Sequence, residues 1–156
     1  MNTQQRPRPI DPRFNGVIRA FMKLYTRLNV AVYRASNGRL MNRFPNGSPI
    51  CLVTMTGRRS GRKRTVPLIY IPSGDDVILI ASQAGMSTHP VWFHNISANP
   101  EVGITAGGHT RRLRARRASN AEKAALWPVA VAVYPDFEQY QARTERNIPV
   151  LICSPV

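Results

Sequence analysis

The hydrophobic positions of this chain follow a helical period near its start and strand-like patterns after residue 49. Between Phe14 and Ala35 the apolar side chains recur every three or four residues, which predicts one long amphipathic helix. Beyond it, six short apolar or alternating runs predict β-strands: Cys51–Met55, Val66–Ile71, Val77–Ser82, Glu101–Ala106, Thr110–Ala118 and Ile148–Cys153. Six strands with few helices between them favour an antiparallel barrel over a doubly wound parallel sheet.

Three shorter helices are predicted among these strands: one from Ser87 or Thr88 to near Asn99, then Asn120–Val133 and Asp136–Arg143. Pro90 is expected in the first turn of the first helix, where a missing N–H costs nothing. Ser119 and Glu122 have the spacing of a capping box at the start of the second helix. Pro128 is expected to kink that helix or to split it in two.

The chain divides into a basic N-terminal segment, residues 1–48, and a barrel domain, residues 49–156. A length of 156 residues is enough for one domain with its own core. Met1–Arg13 contains three prolines and is predicted to be a flexible arm. This division places all six predicted strands in the second segment.

The long predicted helix is basic as well as amphipathic. Arg19, Lys23 and Arg27 recur every four residues along one flank of its apolar stripe. Two interpretations stay open: the helix covers one side of the protein's own core, or it lies on an anionic membrane surface.

The net charge of +14 implies attraction to anions, which include nucleic acid, acidic membranes and anionic small molecules. A nucleic-acid-binding module is the less favoured of these, because the basic segments lack interleaved aromatic residues and no recognition helix is evident. No apolar run is long enough to span a bilayer, and the N-terminus lacks a signal-peptide pattern. The expected location is the cytoplasm, with peripheral attachment to the inner face of the cell membrane as the alternative.

Most catalytic and metal-binding motifs are missing from the sequence. Cys51 and Cys153 lie in apolar runs and are expected to be buried thiols rather than a disulfide or zinc ligands. The three histidines lack metal-ligand spacing, and the acids are scattered, so no metal site is predicted. If the protein is an enzyme, a bound cofactor must therefore supply its chemistry.

The segment between the first two predicted strands concentrates positive charge on a glycine-containing loop. From Thr54 to Pro67 it reads TMTGRRSGRKRTVP, with five basic side chains and no acid: Arg58, Arg59, Arg62, Lys63 and Arg64. Gly57 and Gly61 permit positive φ and a close approach of the backbone to a ligand. Such a loop either binds a polyanion, such as phosphate or several carboxylates, or is a solvated charged turn.

Two other segments are candidates for the same site. Ala81–Gly85 is a small-residue turn at a strand end, where a flat ring can approach the backbone, and Asn95 on the following helix is within reach of a cofactor or simply exposed. Tyr134, Phe137 and Tyr140 recur every three residues. They either wall a pocket for a flat apolar substrate or form a minor hydrophobic cluster.

Several motifs, in this order and spacing, resemble the deazaflavin (coenzyme F420)-dependent nitroreductase and quinone reductase family of actinobacteria. They are Gly57–Leu68, Ala81–Gly85, His89–Ile96, Ala98–Val102, Leu126–Pro128 and Tyr134–Pro135. The similarity runs from about Pro49 to the C-terminus. It implies a mainly β, α+β fold, a split β-barrel of the FMN-binding type, preceded by the amphipathic helix.

The resemblance also implies coenzyme F420 as the electron donor, a molecule with a deazaflavin ring, a phosphate and an oligoglutamate tail. It assigns the contacts to the phosphate and tail to four arginines, Arg58, Arg59, Arg62 and Arg64. Val66 and Pro67 would lie against the ring. Ser82, Gln83 and Asn95 would contact the ring or the ribityl chain. The implied catalytic residues are Ser82, Tyr134 and Tyr140, with Ser82 donating a hydrogen bond to a substrate oxygen. Tyr134, Phe137 and Tyr140 would wall the substrate pocket.

The implied reaction is hydride transfer from reduced coenzyme F420 to a quinone-like substrate or another activated double bond or nitro group. Two departures from the family favour quinones, because members often have lysine at the position of Gln83 and tyrosine at that of Phe137. An FMN- or tetrapyrrole-binding barrel is the alternative within the same fold. Five cations exceed the need of one phosphate, which favours the longer anionic tail of coenzyme F420.

Overall fold

The computed structural model describes residues 15–156, so the predicted arm Met1–Arg13 lies outside the described residues. The described helices are α1 (Asn15–Ala35), α2 (Val91–Ala98), α3 (Asn120–Val133) and α4 (Asp136–Arg143). The described strands are β1 (Ile50–Thr56), β2 (Lys63–Ile69), β3 (Ile71–Ser73), β4 (Asp76–Ile80), β5 (Glu101–Ala106), β6 (His109–Arg117) and β7 (Val150–Pro155). The predicted α+β class is therefore confirmed.

The strands form one antiparallel sheet in the order β2-β1-β5-β6-β7-β4-β3. The hairpin β1–β2 pairs Ile50 with Ile69 and Thr56 with Lys63. Each neighbouring pair of strands is antiparallel, and the sheet curls into a half-barrel. Short connections join three of the pairs, β1–β2, β3–β4 and β5–β6.

Three local predictions need correction. The predicted strand Val66–Ile71 is two strands, because the Tyr70 N–H leaves the ladder and donates to the Pro49 carbonyl at 2.8 Å. Helix α2 begins after Pro90, which occupies the N-cap position with no side-chain cap, so Ser87 and Thr88 do not cap it. Pro128 lies inside α3 without splitting it.

The two faces of the sheet are covered differently. Alternate residues of β4 belong to two hydrophobic clusters, since Val77 and Leu79 face one and Ile78 and Ile80 face the other. The first cluster fills the concave side with residues of β1, β5 and α2, and the second includes buried residues of α3 and α4. In β6, by contrast, buried Leu113 and Ala115 alternate with exposed arginines. One face of this strand is therefore exposed to solvent, as predicted.

Helix α1 is attached to the sheet only near its C-terminal end. The hydroxyl of buried Tyr33 accepts a hydrogen bond from the Gly107 N–H at 3.1 Å, and the Arg34 guanidinium donates to Thr65 Oγ1 at 2.9 Å. Toward its N-terminal end the apolar side chains are exposed, as in Val17 and Phe21, at 76% and 69%. No helix within residues 15–156 is long and apolar enough to cross a bilayer.

Candidate active site

The basic hairpin loop between β1 and β2 is closed by its own backbone. The Gly57 N–H donates to the Arg62 carbonyl at 2.8 Å, and the Gly61 N–H donates to the Gly57 carbonyl at 2.8 Å. Gly61 has a φ of +67°, and a Cβ on Gly57 would lie 2.8 Å from Ser60 Oγ. The positive φ of Gly61 favours glycine there, whereas Gly57 does not adopt the positive φ that the sequence allowed and is crowded mainly by a serine hydroxyl. The exposed arginines lie on this turn and directly after it.

The charges of this loop are exposed and lie apart from the described ion pairs. All five of its basic side chains are exposed, namely those of Arg58, Arg59, Arg62, Lys63 and Arg64. The two arginine–glutamate pairs described within residues 15–156, Arg112–Glu101 and Arg116–Glu122, lie on or beside β6. The loop is thus a concentrated positive surface, suited to an anionic group.

Asn95 connects this loop to helix α2. Its side chain is 7% exposed, and its Oδ1 accepts a hydrogen bond from the Arg58 backbone N–H at 3.1 Å. The sequence prediction of Asn95 near a cofactor ring stays a prediction. What the structure adds is that this amide holds the first residue of the basic loop in place.

Val66 and Pro67 follow the loop on strand β2, where they pair with Val53 and Leu52. Both are half-buried, and Val66 packs against the first hydrophobic cluster. The same cluster includes Phe93 of α2. A small apolar surface therefore lies directly after the positive loop, on the strand that leaves it.

The loop that contains Ser82 and Gln83 runs from Ala81 to His89 and has an unusual backbone. Ser82 is 9% exposed, and Gln83 is half-buried with its Nε2 donating to Thr88 Oγ1 at 3.2 Å. The φ angles of Gln83 and Ala84 are +43° and +53°, both in the left-handed region that residues with a Cβ seldom adopt. This Ala81–His89 loop is the strained part of the candidate site.

The aromatic residues of α4 and its approach form one cluster. The hydroxyls of Tyr134 and Tyr140 lie 2.9 Å apart, and the ring centroids of Tyr134 and Phe137 lie 4.9 Å apart in an edge-on arrangement. Phe137 is buried and belongs to the second hydrophobic cluster. Burial and the Tyr140 hydroxyl raise the pKa of Tyr134, so its phenol stays protonated.

The structure brings the aromatic cluster against the Ala81–His89 loop. A Cβ on Gly85 would lie 2.5 Å from the Tyr140 carbonyl oxygen, so only glycine fits there. The Arg143 Nη1 donates to the Ala84 carbonyl at 2.9 Å. Ser82, Gln83 and Tyr140 thus belong to adjoining elements, whereas the aromatic cluster and the basic loop share no hydrogen bond described here.

A cavity of about 610 Å³ lies elsewhere, between the end of α1 and the outer faces of β1, β5 and β6. Its lining includes Tyr33, Thr54, Arg112 and, from the basic loop, Lys63, but none of the four loop arginines and none of the residues predicted for the substrate. We place the candidate site at the two loops and the aromatic cluster, because these elements carry most of the residues predicted for the cofactor and the substrate.

Sequence reasoning missed Arg146. Its guanidinium donates to the carbonyls of Ala81, Ser82 and Met86 at 3.1, 2.8 and 3.0 Å and lies 2.9 Å from His89 Nδ1. The residue stands alone in a polar segment between α4 and β7, and its partners come about 60 residues earlier. No local pattern signals such a contact.

Comparison with known proteins identifies the class of this protein. A family model described as F420H(2)-dependent quinone reductase matches residues 25–155. The protein Rv3178 of Mycobacterium tuberculosis, whose name assigns it provisionally to the F420H(2)-dependent quinone reductases, is 41% identical over 69% of this chain and 90% of its own length. The F420H(2)-dependent quinone reductase Rv1261c of the same organism is 35% identical over 81% of this chain and 87% of its own length.

A solved structure of an F420-H2 dependent reductase, FDR-A, superposes with a TM-score of 0.65 at 38% identity, over 68% of this chain and 94% of that chain. The fold is therefore that of the split-barrel oxidoreductases that use coenzyme F420. The chain belongs to the F420H(2)-dependent quinone reductase family. Both the resemblance and the cofactor inferred from the sequence motifs are confirmed at the level of the family.

Proposed function

We propose that this protein binds reduced coenzyme F420 through the Gly57–Arg64 loop and reduces a quinone held between the Ala81–His89 loop and the aromatic cluster. When bound, the cofactor supplies a hydride from its deazaflavin ring, and a proton from solvent or a side chain completes reduction of the quinone to the quinol. The observation that carries the proposal is the exposed, closed turn of five cations that Asn95 links to α2.

The residues of the loop fit the anionic part of the cofactor. Arg58, Arg59, Arg62 and Arg64 are proposed to contact its phosphate and carboxylates, since guanidinium groups bind both oxyanions in pairs of hydrogen bonds. Val66 and Pro67 offer the half-buried apolar surface that a flat ring needs. Gln83 and Asn95 are placed here as polar contacts at the ring or ribityl chain.

On the substrate side we assign a hydrogen bond from the Ser82 hydroxyl to a quinone oxygen. Tyr134, Phe137 and Tyr140 would wall the pocket, and their rings suit a flat, apolar substrate. Tyr134 and Tyr140 are assigned a role in orienting the substrate through the paired hydroxyls, 2.9 Å apart. Because the pKa of Tyr134 is raised, this hydroxyl can donate a hydrogen bond but is a weak acid.

Nitro and enone substrates would enter the same pocket and are proposed as secondary substrates. Quinones are favoured because position 137 holds phenylalanine, which offers no hydroxyl to a nitro group.

The decisive experiment is a fluorescence titration with coenzyme F420, run beside FMN and a deazaflavin that lacks the phosphate and tail. Tight binding of the full cofactor, with both others much weaker, supports the assignment of the basic loop. Equal affinity for the truncated deazaflavin would show that the loop does not bind the tail. Steady-state reduction of a quinone with reduced coenzyme F420 then tests the reaction.

We also propose that α1 holds the protein at an anionic membrane surface. Four exposed apolar side chains fall on one face at helical spacing, namely Val17, Phe21, Leu24 and Leu28. The helix contains no acidic residue, and Arg19, Lys23 and Arg27 are exposed beside that face. Apolar insertion combined with attraction to anionic headgroups is how such helices lie on membranes, close to a lipid-soluble substrate.

This attachment is tested by sedimentation with vesicles of phosphatidylglycerol and phosphatidylcholine, compared with phosphatidylcholine alone. We expect binding only to the anionic vesicles, and its loss in the double variant Phe21→Ser with Leu24→Ser. Val91→Ser is the matched control, because Val91 is 73% exposed but lies outside α1. If the double variant instead dissociates a dimer and leaves vesicle binding unchanged, the apolar face is an interface between copies.

A further inference from the structure

The Ala81–His89 loop keeps a conformation that its own sequence does not favour. Gln83, Ala84 and Gly85 have φ angles of +43°, +53° and +74°, three left-handed residues in a row. Only Gly85 adopts that region without a steric penalty. A run of this kind persists only where surrounding contacts hold it, and such runs concentrate at functional sites.

Arg146 supplies most of those contacts from outside the loop. The Nε donates to the Met86 carbonyl, Nη1 to the Ala81 carbonyl and Nη2 to the Ser82 carbonyl, at 3.0, 3.1 and 2.8 Å. These carbonyls lie on both sides of the three left-handed residues. One rigid, planar guanidinium therefore fixes the start and the end of the turn together, which the single point charge of a lysine cannot do.

His89 completes this arrangement at the end of the loop. Its Nδ1 lies 2.9 Å from Arg146 Nη1, so Nδ1 must accept the hydrogen bond and the imidazole must be neutral. Burial, and after it electrostatic interaction with Arg146, His94 and Arg117, lowers the pKa of His89. The ring of Phe93 on α2 lies against the imidazole at 4.9 Å between centroids and carries no charge.

The same loop is joined to the aromatic cluster. Arg143, in the last turn of α4, donates to the Ala84 carbonyl, and the Tyr140 carbonyl lies against Gly85. Arg146 follows three residues later, so its contacts fix how far Ser82 lies from the helix that carries Phe137 and Tyr140. This distance matters if the substrate is held between the two.

We propose that Arg146 is a positioning residue for the reduction: it clamps the Ala81–His89 loop so that Ser82 and the aromatic cluster hold the substrate in one geometry. The inference rests on the proposed function for the identity of the reaction. The clamp requires neutral His89, so activity should fall as the pH drops and His89 takes up a proton.

The test compares wild type with Arg146→Lys and Arg146→Met, and uses Arg114→Met, an exposed position on β6, as the charge-matched control. We expect kcat for quinone reduction to fall by about 10- to 100-fold in Arg146→Met, because a displacement near 1 Å is enough for such a loss. Arg146→Lys should retain more of the wild-type kcat than Arg146→Met does, but not all of it. The dissociation constant for coenzyme F420 should rise by no more than about threefold, because only the contact proposed for Gln83 is disturbed and those of the basic loop stay intact.

A second readout follows the His89 imidazole by NMR titration in the protein without cofactor. Removing the guanidinium removes a positive neighbour, so the pKa of His89 should rise in Arg146→Met. The acid limb of the kcat profile should disappear in this variant, because no clamp remains for the protonated imidazole to break. His89→Gln should keep the three carbonyl contacts of Arg146 and lose the acid limb. Circular dichroism melting checks that each variant is folded.

The outcomes separate the clamp from the proposed function. If kcat in Arg146→Met and Arg146→Lys stays within twofold of wild type, or if the His89 pKa does not move, the clamp is wrong. If Arg146→Met fails to fold, kcat in Arg146→Lys decides the matter, and an acid limb that persists in His89→Gln also overturns the clamp. Failure of the wild type to bind coenzyme F420 would overturn the proposed function, while the titration of His89 would still test the contact itself.

Discussion

The Gly57–Arg64 loop and the Ala81–His89 loop are built in opposite ways. The first is closed by its own backbone hydrogen bonds, and its charged side chains are exposed. The second has left-handed residues and depends on arginines about 60 positions away along the chain. One loop is thus free to adapt its side chains to a long, flexible anion, whereas the other is held in a single shape.

This difference suits the two tasks that we propose for the loops. Recognition of a charged tail tolerates mobile side chains, because each arginine can follow the oxyanion it binds. Orientation of a reacting substrate does not tolerate mobile side chains, because the rate of the reaction depends on distances set to within about 1 Å. Substitutions in each loop test whether the two loops differ in this way.

The largest expected effect is on folding stability, at the glycines of the two loops. Gly85→Ala places a Cβ 2.5 Å from the Tyr140 carbonyl oxygen at a φ of +74°, and we expect a loss of about 3 kcal/mol in the free energy of unfolding. Gly61→Ala, at a φ of +67° with nothing within 4 Å, should cost only about 1 kcal/mol. Urea unfolding measures both, and equal losses would erase the comparison.

The next effect concerns cofactor affinity. Arg58→Ala or Arg64→Ala should each weaken binding of coenzyme F420 by about 3- to 10-fold, since exposed charge-assisted contacts are worth about 1 kcal/mol. The backbone contact from the Arg58 N–H to Asn95 survives the first change. Arg111→Ala on β6 removes the same charge outside the loop and is the control in the fluorescence titration.

A loss that is the same for the control would mean that only the net charge of the protein matters. A salt titration gives a further test, because the difference in affinity for coenzyme F420 between wild type and Arg64→Ala should shrink as the ionic strength rises.

A smaller change is expected in substrate choice at the aromatic cluster. Phe137→Tyr adds a hydroxyl beside the rings of Tyr134 and Tyr140, which lie 4.9 and 6.3 Å from the Phe137 ring between centroids. The ratio of kcat/KM for a nitroaromatic to that for a quinone should rise by about 2- to 10-fold, the worth of one hydrogen bond. An unchanged ratio would remove position 137 from the substrate pocket.

The smallest expected effect is on the pH dependence of folding stability. It concerns Glu122, which lies outside both loops. Hydrogen bonds from Arg116 and from the Ser119 N–H lower the pKa of Glu122 to about 2 from an ordinary value of 4.5. The folded state then binds fewer protons than the unfolded state, so this contribution to stability is complete above pH 4.5 and is lost as the pH falls toward 2. Glu122→Gln should flatten the slope of stability against pH in that window, measured by thermal melting at a series of pH values.

The sequence predicted the elements that depend on local patterns. The capping box of Ser119 and Glu122 is present, with the Glu122 N–H donating to Ser119 Oγ at 3.1 Å, because both partners lie within one turn. The basic loop and its two glycines were equally local. Buried strands such as β4 were found within two residues of their ends, since an apolar run is a strong signal.

What the sequence could not predict depends on contacts between distant residues. Tyr70 leaves its strand to bind Pro49, and Pro90 rather than Ser87 or Thr88 begins α2, because tertiary packing overrides local capping preferences. The clamp of Arg146 is the clearest case, because nothing around that residue distinguishes it from an exposed arginine. The motif that resembled the family pointed to Ser82 and Gln83 but not to the side chain that holds them.

The burial of both cysteines has a consequence for an enzyme that handles quinones. Quinones are electrophiles that arylate thiolates. If the enzyme had an accessible thiolate, its quinone substrate would therefore inactivate it. Cys51 and Cys153 are fully buried, and burial raises the pKa of each thiol to about 12. The sequence has no other cysteine, so the chain offers its substrate no exposed thiol to alkylate.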